Sequence, residues 1–169
     1  MPWGLQRYFE ESSGRRPLRL RLLEKLQELF EAERAALFRK SGLGLELVEG
    51  LGIDQEMLDL ESFQSTRNLL ELAIEVGREP NLTSSLGDPR FIPHREFVPS
   101  GLRSVLCIGI RDRQGQIGAL YLDRKLRQGY YDRLAFADLE KIAELAVGSG
   151  LSLAPPFEQH NGCADAGIE

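Results

Sequence analysis

The sequence predicts an α+β fold in which helices pack on a central antiparallel β-sheet. Residues 101–123 contain two apolar runs joined by a short polar loop, which is typical of a hairpin at the centre of a sheet. Segments with apolar residues at three- and four-residue spacing precede and follow this hairpin, and that spacing predicts helices. With 169 residues, 42% hydrophobic and 28% charged, the chain can bury one core without disulfide bonds.

Charge and cysteine content narrow the class of protein. A formal net charge of −5 argues against nucleic acid or an anionic membrane as a partner, because either requires a basic surface. Cys107 in an apolar run and Cys163 in a polar one form neither a disulfide framework nor a zinc site. No apolar stretch is long enough for a signal peptide or a membrane-spanning helix. We therefore expect a cytoplasmic protein.

The beginning of the chain predicts an arm followed by a helix. Residues 1–16 mix aromatic and charged side chains and end in a Ser-Ser-Gly turn, so a flexible arm is expected. Pro17 suits the first turn of a helix. Apolar residues then follow at helical spacing, namely Leu22, Leu26, Leu29 and Phe30. Two interpretations of this face remain open, packing within its own domain or contact with a partner subunit.

Two short strands are predicted within residues 33–54, joined by a turn at Ser41 and Gly42. Glycines in this region match neither a dinucleotide-binding nor a phosphate-binding pattern, and we assign them to turns and bulges. A helical turn is expected over 54–60. None of the candidate ligand-binding residues lies in these elements.

A second helix is predicted from an N-cap at Ser62 to a C-cap at Gly77. Pro80 prevents its continuation, and residues 81–85 predict a short strand. Residues 86–101 contain three prolines and predict a structured loop. Such a loop between core elements commonly forms the wall of a binding site.

The hairpin identified first now has defined parts. Side chains of a strand point alternately to its two faces, and both alternating sets within residues 104–110 are apolar. This strand is therefore predicted to be buried on both faces. Residues 112–115 suit a hairpin loop with glycine in the left-handed position, and residues 117–122 form the return strand. A last helix is predicted over 134–147, and residues 152–169 are expected to be a disordered tail.

In this order the elements resemble a GAF domain. The resemblance is carried by LLELAIEVGREP with NLTSS, by the turn GDPRF, by the hairpin GLRSVLCIGI and GQIGALYLD, and by the helix DLEKIAELA. It covers roughly residues 33–151 and is similar to GAF modules of bacterial transcription activators, kinases and cyclase-type signalling proteins. Two positions depart from the family pattern. Gly109 stands where proline is common, and GYYDRLAFADL before the last helix departs from the usual Phe-led approach to the Asp-Leu pair.

The resemblance implies a GAF-like, PAS-related sheet with helices on one face and a loop-built pocket on the other. The GAF domain would span 17–151, and its first and last helices are expected to lie together and to form a homodimer. The implied function is small-molecule sensing or regulation in a bacterial signal-transduction or transcription-regulatory protein. The partner would be an effector domain or protein. Neither the ligand nor a cofactor is specified.

Candidate ligand-binding residues come from the GDPRF turn and the hairpin. A structural turn, with Asp88 as a cap and Phe91 in the core, is the first interpretation of this pattern, and a ligand-binding turn is the second. In GAF domains it borders the pocket, so Arg90 would face an anionic group and Phe91 a ring or an acyl chain. Arg103 would serve the same pocket or pair with a surface acid. The complete predicted set is Asp88, Arg90, Phe91, Phe97, Arg103, Ser104, Leu106 and Tyr121.

No catalytic residue or metal ligand is expected. Cys107 is interpreted as a small buried hydrophobe. Cysteines that attach bilins in this family lie outside the hairpin, and free methionine sulfoxide reductases need several cysteines. Ser104 has no base, because the histidines, His94 and His160, lie outside any Gly-x-Ser-x-Gly elbow. The Asn-Lys…Phe…Asp-Glu signature of cyclic-nucleotide GAF domains is absent.

Two alternatives to a sensor remain. One is a ligand-free dimerisation module whose pocket is filled by Phe91, Phe97 and neighbouring aliphatic residues. The other is a reductase-like enzyme, which the cysteine count disfavours. The presence of a bound ligand distinguishes the first from a sensor, and substitution of Cys107 tests the second.

Overall fold

The computed structural model describes Gly4 and residues 7–9, 17–76, 83–85, 104–124 and 133–155, and the structural account below refers to these. The strands are β1 (Arg34–Ser41), β2 (Gly44–Leu51), β3 (Thr83–Ser85), β4 (Ser104–Arg111) and β5 (Ile117–Arg124). The helices are α1 (Leu18–Phe30), α2 (Gln55–Leu58), a 3-10 turn (Glu61–Phe63), α3 (Gln64–Val76) and α4 (Arg133–Gly148). The strands form one antiparallel sheet in the order β2-β1-β5-β4-β3, which confirms the predicted α+β class.

Both predicted hairpins are present, and polar turn residues explain them. The Ser41 hydroxyl accepts the Leu43 N–H at 3.2 Å, and Gly44 has a φ of +117°. In the β4–β5 loop, Asp112 Oδ1 accepts the N–H groups of Gln114 at 3.0 Å and Gln116 at 2.9 Å. Each loop thus satisfies its own main-chain donors, which fixes the register of the strands that it joins.

One face of the sheet packs against the two terminal helices. Helix α1 begins after Pro17 and α4 spans Arg133–Gly148, close to the predicted limits. Because β-strand side chains alternate, every second residue of β4 and β5 points to this face. The core here includes Leu22, Leu23, Leu26, Leu106, Ile108, Leu120, Leu122, Leu139 and Ile142. We call it the terminal-helix face.

The opposite face packs against α2, the 3-10 turn and α3, and we call it the α3 face. Its core includes Ala36, Phe38, Phe63, Leu69, Leu70, Ala73, Cys107 and Tyr121. Ser62 lies within the 3-10 turn, so the predicted N-cap is wrong and α3 begins at Gln64. The extra turn places Phe63 in the core at 5% exposure. Helix α3 has 13 residues and covers part of this face, where the resemblance implied a loop-built pocket.

Residues beyond the predicted domain limits belong to the core. Phe9, from the predicted arm, is 3% exposed, and Leu153, from the predicted tail, is 0% exposed. Arg21 Nη1 donates to the Tyr8 carbonyl at 3.1 Å and holds the first of these segments on α1. The predicted domain limits, 17 and 151, left Phe9 and Leu153 outside, because a single apolar residue among polar ones shows no periodicity. None of the described helices is long and apolar enough to cross a membrane.

Candidate functional site

The centre of the α3 face is a cluster of three aromatic side chains. Phe38 comes from β1, Tyr121 from β5 and Phe63 from the 3-10 turn. Their ring centroids lie 6.3 to 6.5 Å apart, and Tyr121 meets both phenylalanines edge to face. Such contacts favour the ring arrangement beyond the area they bury. The cluster is packed aromatic core at the β1–β5 centre of the sheet.

A polar network adjoins this cluster. The Tyr121 hydroxyl donates to Asp123 Oδ2 at 2.5 Å, and Arg34 Nε donates to both Asp123 oxygens at 2.8 and 2.9 Å. Asp123 is 0% exposed, so its charge depends on these donors. Burial opposes the charge on Arg34, but its bonds with Asp123 outweigh this and hold the pKa of Arg34 above its ordinary value. The network therefore carries one buried ion pair.

The tyrosine of this network stays protonated. Burial, together with the nearby Asp123 charge, raises the pKa of Tyr121 well above its ordinary value. Thr66 of α3 is 1% exposed and also hydrogen-bonds with the Tyr121 hydroxyl. Tyr121 thus joins a residue of α3 to the ion pair at the end of β5.

Cys107 lies directly across the sheet ladder from Tyr121. It is 0% exposed, and burial raises the pKa of its thiol to about 12. A thiol with this pKa is protonated near neutral pH and is a poor nucleophile. The position agrees with its interpretation as a packed hydrophobe. Among the residues that the structure describes, no group of three or more His, Cys, Asp or Glu side chains could hold a metal ion.

Gly109 explains how closely α3 lies on β4. A Cβ atom at this position would lie 2.6 Å from the Ala73 carbonyl oxygen, so only glycine allows the observed contact. The departure from the proline common in GAF domains therefore has a structural reason. Helix α3 therefore packs directly on the β4 side of this face.

The structure places three of the sequence-predicted site residues. Ser104 begins β4, where its main chain pairs with Ser85 and Arg124. Leu106 and Tyr121 are both 0% exposed but lie on opposite faces, Leu106 against the terminal helices and Tyr121 against α3. The structure does not bring these two side chains together, because the sheet separates them. Outside the described residues lie Asp88, Arg90, Phe91, Phe97 and Arg103.

Sequence reasoning missed several residues of the aromatic cluster and network, namely Phe38, Phe63, Arg34, Thr66 and Asp123. One signal was available, because Asp123 follows Tyr121 by two residues and therefore shares its face. Arg34 gave no such signal, because it meets Asp123 only through the register of β1 against β5. Phe63 gave none either, because it lies in the 3-10 turn, which has no regular apolar spacing.

Comparisons with known proteins agree on the fold. The GAF domain family matches residues 20–148, more than half of the chain. A GAF domain from Synechocystis, solved in its photoproduct state, is 15% identical with a TM-score of 0.53, over 85% of this chain and 92% of that one. An N-acylhomoserine lactone dependent LuxR family transcription factor from Burkholderia cenocepacia is 13% identical with a TM-score of 0.54, over 88% and 93%.

A methyl-accepting chemotaxis protein is 13% identical with a TM-score of 0.54, over 86% of this chain and 93% of that one. Likeness at such identity concerns the fold alone. A search of curated protein sequences found no match. Because the family match spans both terminal helices and the whole described sheet, the chain belongs to the GAF domain family.

Proposed function

We propose that this chain is a non-enzymatic sensor domain that binds a small molecule on the α3 face and signals through α1 and α4. The supporting observation is that β4 and β5 contribute side chains to both faces of the sheet. Cys107 and Tyr121 point to the α3 face, and Leu106 and Leu122 point to the terminal-helix face. Interiors are close-packed, so a shift of β4 or β5 caused by a ligand alters the packing of the terminal helices.

The ligand would bind between the polar network and residues 86–103. Ser85 pairs with Ser104, so this segment leaves and re-enters the sheet at one end of β4. Val105 at that end pairs with Asp123. The segment is thus anchored beside the network, which supports the proposal that it supplies the ligand contacts.

The side chains available there suggest the class of ligand. Arg90 and Arg103 would bind an anionic group through charge-assisted hydrogen bonds. Phe91 and Phe97 would extend the aromatic surface, which favours an apolar ring or acyl chain as the other part of the ligand. We therefore propose an amphipathic organic anion.

A non-enzymatic role is supported by Cys107. A reductase-like reaction needs a reactive thiolate, whereas burial raises the pKa of this thiol to about 12. Signalling through a homodimer of terminal helices, an effector domain or protein, a cytoplasmic location and a bacterial regulatory setting complete the proposal. They rest on the resemblance to GAF modules of such proteins.

One observation favours the ligand-free dimerisation module as the second candidate. Phe38 and Tyr121 are 0% exposed, and Phe63 is 5% exposed. The described part of the candidate site is thus filled by the chain's own side chains. A ligand that contacts Tyr121 has to displace one of them, and a dimerisation module needs no such displacement.

Native mass spectrometry distinguishes the two candidates. The purified chain is incubated with a small-molecule extract of bacterial cells, and its mass is recorded before and after denaturation. The sensor predicts an adduct of defined mass on the wild type that is lost from Arg90→Ala and Phe91→Ala. Arg113→Ala, which removes an exposed arginine of the β4–β5 loop, is the matched control and keeps the adduct. An adduct on no variant, or equally on all of them, contradicts the proposal.

A further inference from the structure

The chain turns sharply after α4 and forms a short segment that packs on the domain. Gly150 has a φ of +98°, and the Leu151 N–H donates to the Ala146 carbonyl at 2.9 Å, which closes the end of the helix. Residues 151–154 then lie between α1 and the β4–β5 loop, and we call them the strap. Leu151 is 1% exposed and Leu153 0%. The strap is therefore an integral part of the described core.

Two opposite charges hold the main chain of the strap. Asp112 Oδ2 accepts the Leu153 N–H at 2.8 Å. Arg19 Nε donates to the Ser152 carbonyl at 2.7 Å, and its Nη2 donates to the Ala154 carbonyl. Burial lowers the pKa of Arg19 from its ordinary value, as expected for a guanidinium partly covered by the strap. Neither charged group contacts a strap side chain through these bonds.

An apolar socket completes the site. A Cβ atom at Gly118 would lie 3.0 Å from Leu153 Cδ1 and still closer to the Phe38 carbonyl oxygen. The absence of a side chain at Gly118 thus leaves the space that the leucine fills. An acceptor for an N–H, donors for the flanking carbonyls and a socket for one side chain are the elements with which proteins bind peptide segments.

We propose that this groove between α1 and the β4–β5 loop is a docking site for a leucine-containing main-chain segment, and that the strap occupies it as a latch that detaches while the domain stays folded. Gly150 is suited to be the hinge, because a Cβ atom there would meet nothing within 4 Å. Opening would break the three hydrogen bonds that Arg19 and Asp112 make with the strap and would expose Leu151 and Leu153, a smaller change than unfolding of the whole domain.

The latch connects elements that the proposed sensor function would use. It continues α4, is held by Arg19 of α1, and is held by Asp112 between the two central strands. Its release would detach α1 from the β4–β5 loop at this point, whereas Arg113 of the loop would still donate to the Gly148 carbonyl at the end of α4. The proposal goes beyond ligand sensing and does not depend on a ligand, so it can fail or succeed independently.

Amide hydrogen exchange of the full chain, measured by NMR, tests the latch. In the wild type the Leu153 amide is expected to exchange at least about tenfold faster than the β5 amides, which need global unfolding. Asp112→Asn removes a charge-assisted bond that exists only while the latch is closed, so it should accelerate Leu153 and the β5 amides by a similar factor of about ten and leave their ratio unchanged. In low concentrations of urea, Leu153 exchange should accelerate less steeply than β5 exchange, because opening of the latch exposes less surface than global unfolding. Gln114→Ala, in the same loop, keeps the main-chain bond to Asp112 and should change neither rate.

Equal rates for Leu153 and the β5 amides in the wild type would overturn the proposal, since the strap would then open only on unfolding. A urea dependence of Leu153 exchange as steep as that of the β5 amides would also overturn the latch, because exchange at Leu153 would then require global unfolding. A rate of Leu153 exchange that depends on protein concentration also overturns it, because the segment would then be exchanged between two copies.

Discussion

Buried polar side chains on the α3 face divide into neutral and charged ones. Burial is the first cause of the raised pKa of both Cys107 and Tyr121, so each is protonated and neutral near pH 7. Asp123 differs because two Arg34 donor nitrogens and the Tyr121 hydroxyl compensate its charge. The face thus combines an apolar thiol and an aromatic cluster with one ion pair at its end. The described part of this face therefore contains no activated nucleophile among Cys107 and Tyr121.

The raised pKa of Cys107 predicts low thiol reactivity. In a Cys163→Ser variant, Cys107 should react with a disulfide reagent at pH 8 on the order of a thousandfold more slowly in the folded than in the urea-unfolded protein, because the thiolate fraction falls with the raised pKa. The protonated form is favoured by folding. This contribution to stability is therefore complete below the pKa of the unfolded chain and is lost as the pH rises toward about 12.

Stopped-flow absorbance of the released thiolate product measures both reactions, with the unfolded protein as the internal control. Comparable rates in the folded and unfolded states would show that Cys107 is accessible and ionised, and would reopen the reductase-like alternative.

At the scale of elements, local signals predicted the hairpins and the long helices well. Asp112, Gly115 and the Ser41 turn act within a few residues, so the sequence pattern contains the information that determines them. The 3-10 turn before α3 was missed, because its formation depends on the burial of Phe63 against distant strands. The strap was missed for a similar reason, since Arg19 and Asp112 meet it only in the folded chain.

The contact between α3 and β4 predicts a strong effect of one added methyl group. Gly109→Ala would place its Cβ atom 2.6 Å from the Ala73 carbonyl oxygen, and main chain cannot rotate away as a side chain would. We expect a loss of about 2–3 kcal/mol in the free energy of unfolding, at the upper end of overpacking effects. Urea denaturation followed by circular dichroism measures it.

Gly42→Ala is the matched control, because a Cβ atom there meets nothing within 4 Å. Its effect should stay within about 0.5 kcal/mol, as for ordinary surface substitutions. Equal stability of the two variants would show that α3 lies farther from β4 than described.

Over the whole molecule, the sequence predicted the family and the sheet but only part of the candidate site. Leu106 and Tyr121 were assigned to one pocket, whereas the sheet places them on opposite faces. Alternation along each strand was visible, but which set of residues faces the ligand depends on where α3 and the terminal helices pack. The five predicted residues between 88 and 103 remain predictions. Their segment is anchored beside Asp123 through Ser85 and Ser104.

The exposure of the α1 leucines shows which of them a homodimer interface would bury. The sequence left open whether the α1 leucines serve their own domain or a partner. Leu22 and Leu26 are 0% exposed and belong to the domain core, whereas Leu29 is 41% exposed. A dimer through the terminal helices would therefore bury Leu29 rather than the centre of the predicted face, and α1 serves mainly the fold of its own chain.

This geometry gives a direct test of the homodimer. If the proposed pairing is correct, the wild type is a dimer in sedimentation equilibrium, and Leu29→Asp raises the dimer dissociation constant by at least about tenfold, because two buried leucines per dimer are replaced by charges. Leu43→Asp is the control, since Leu43 is 98% exposed at the β1–β2 turn, far along the chain from both terminal helices. A monomeric wild type, or dissociation caused by Leu43→Asp alone, contradicts dimerisation through α1 and α4. Signal output would then have to pass through contacts within one chain, of which the hold of Arg19 and Asp112 on the strap connects both terminal helices to the central strands.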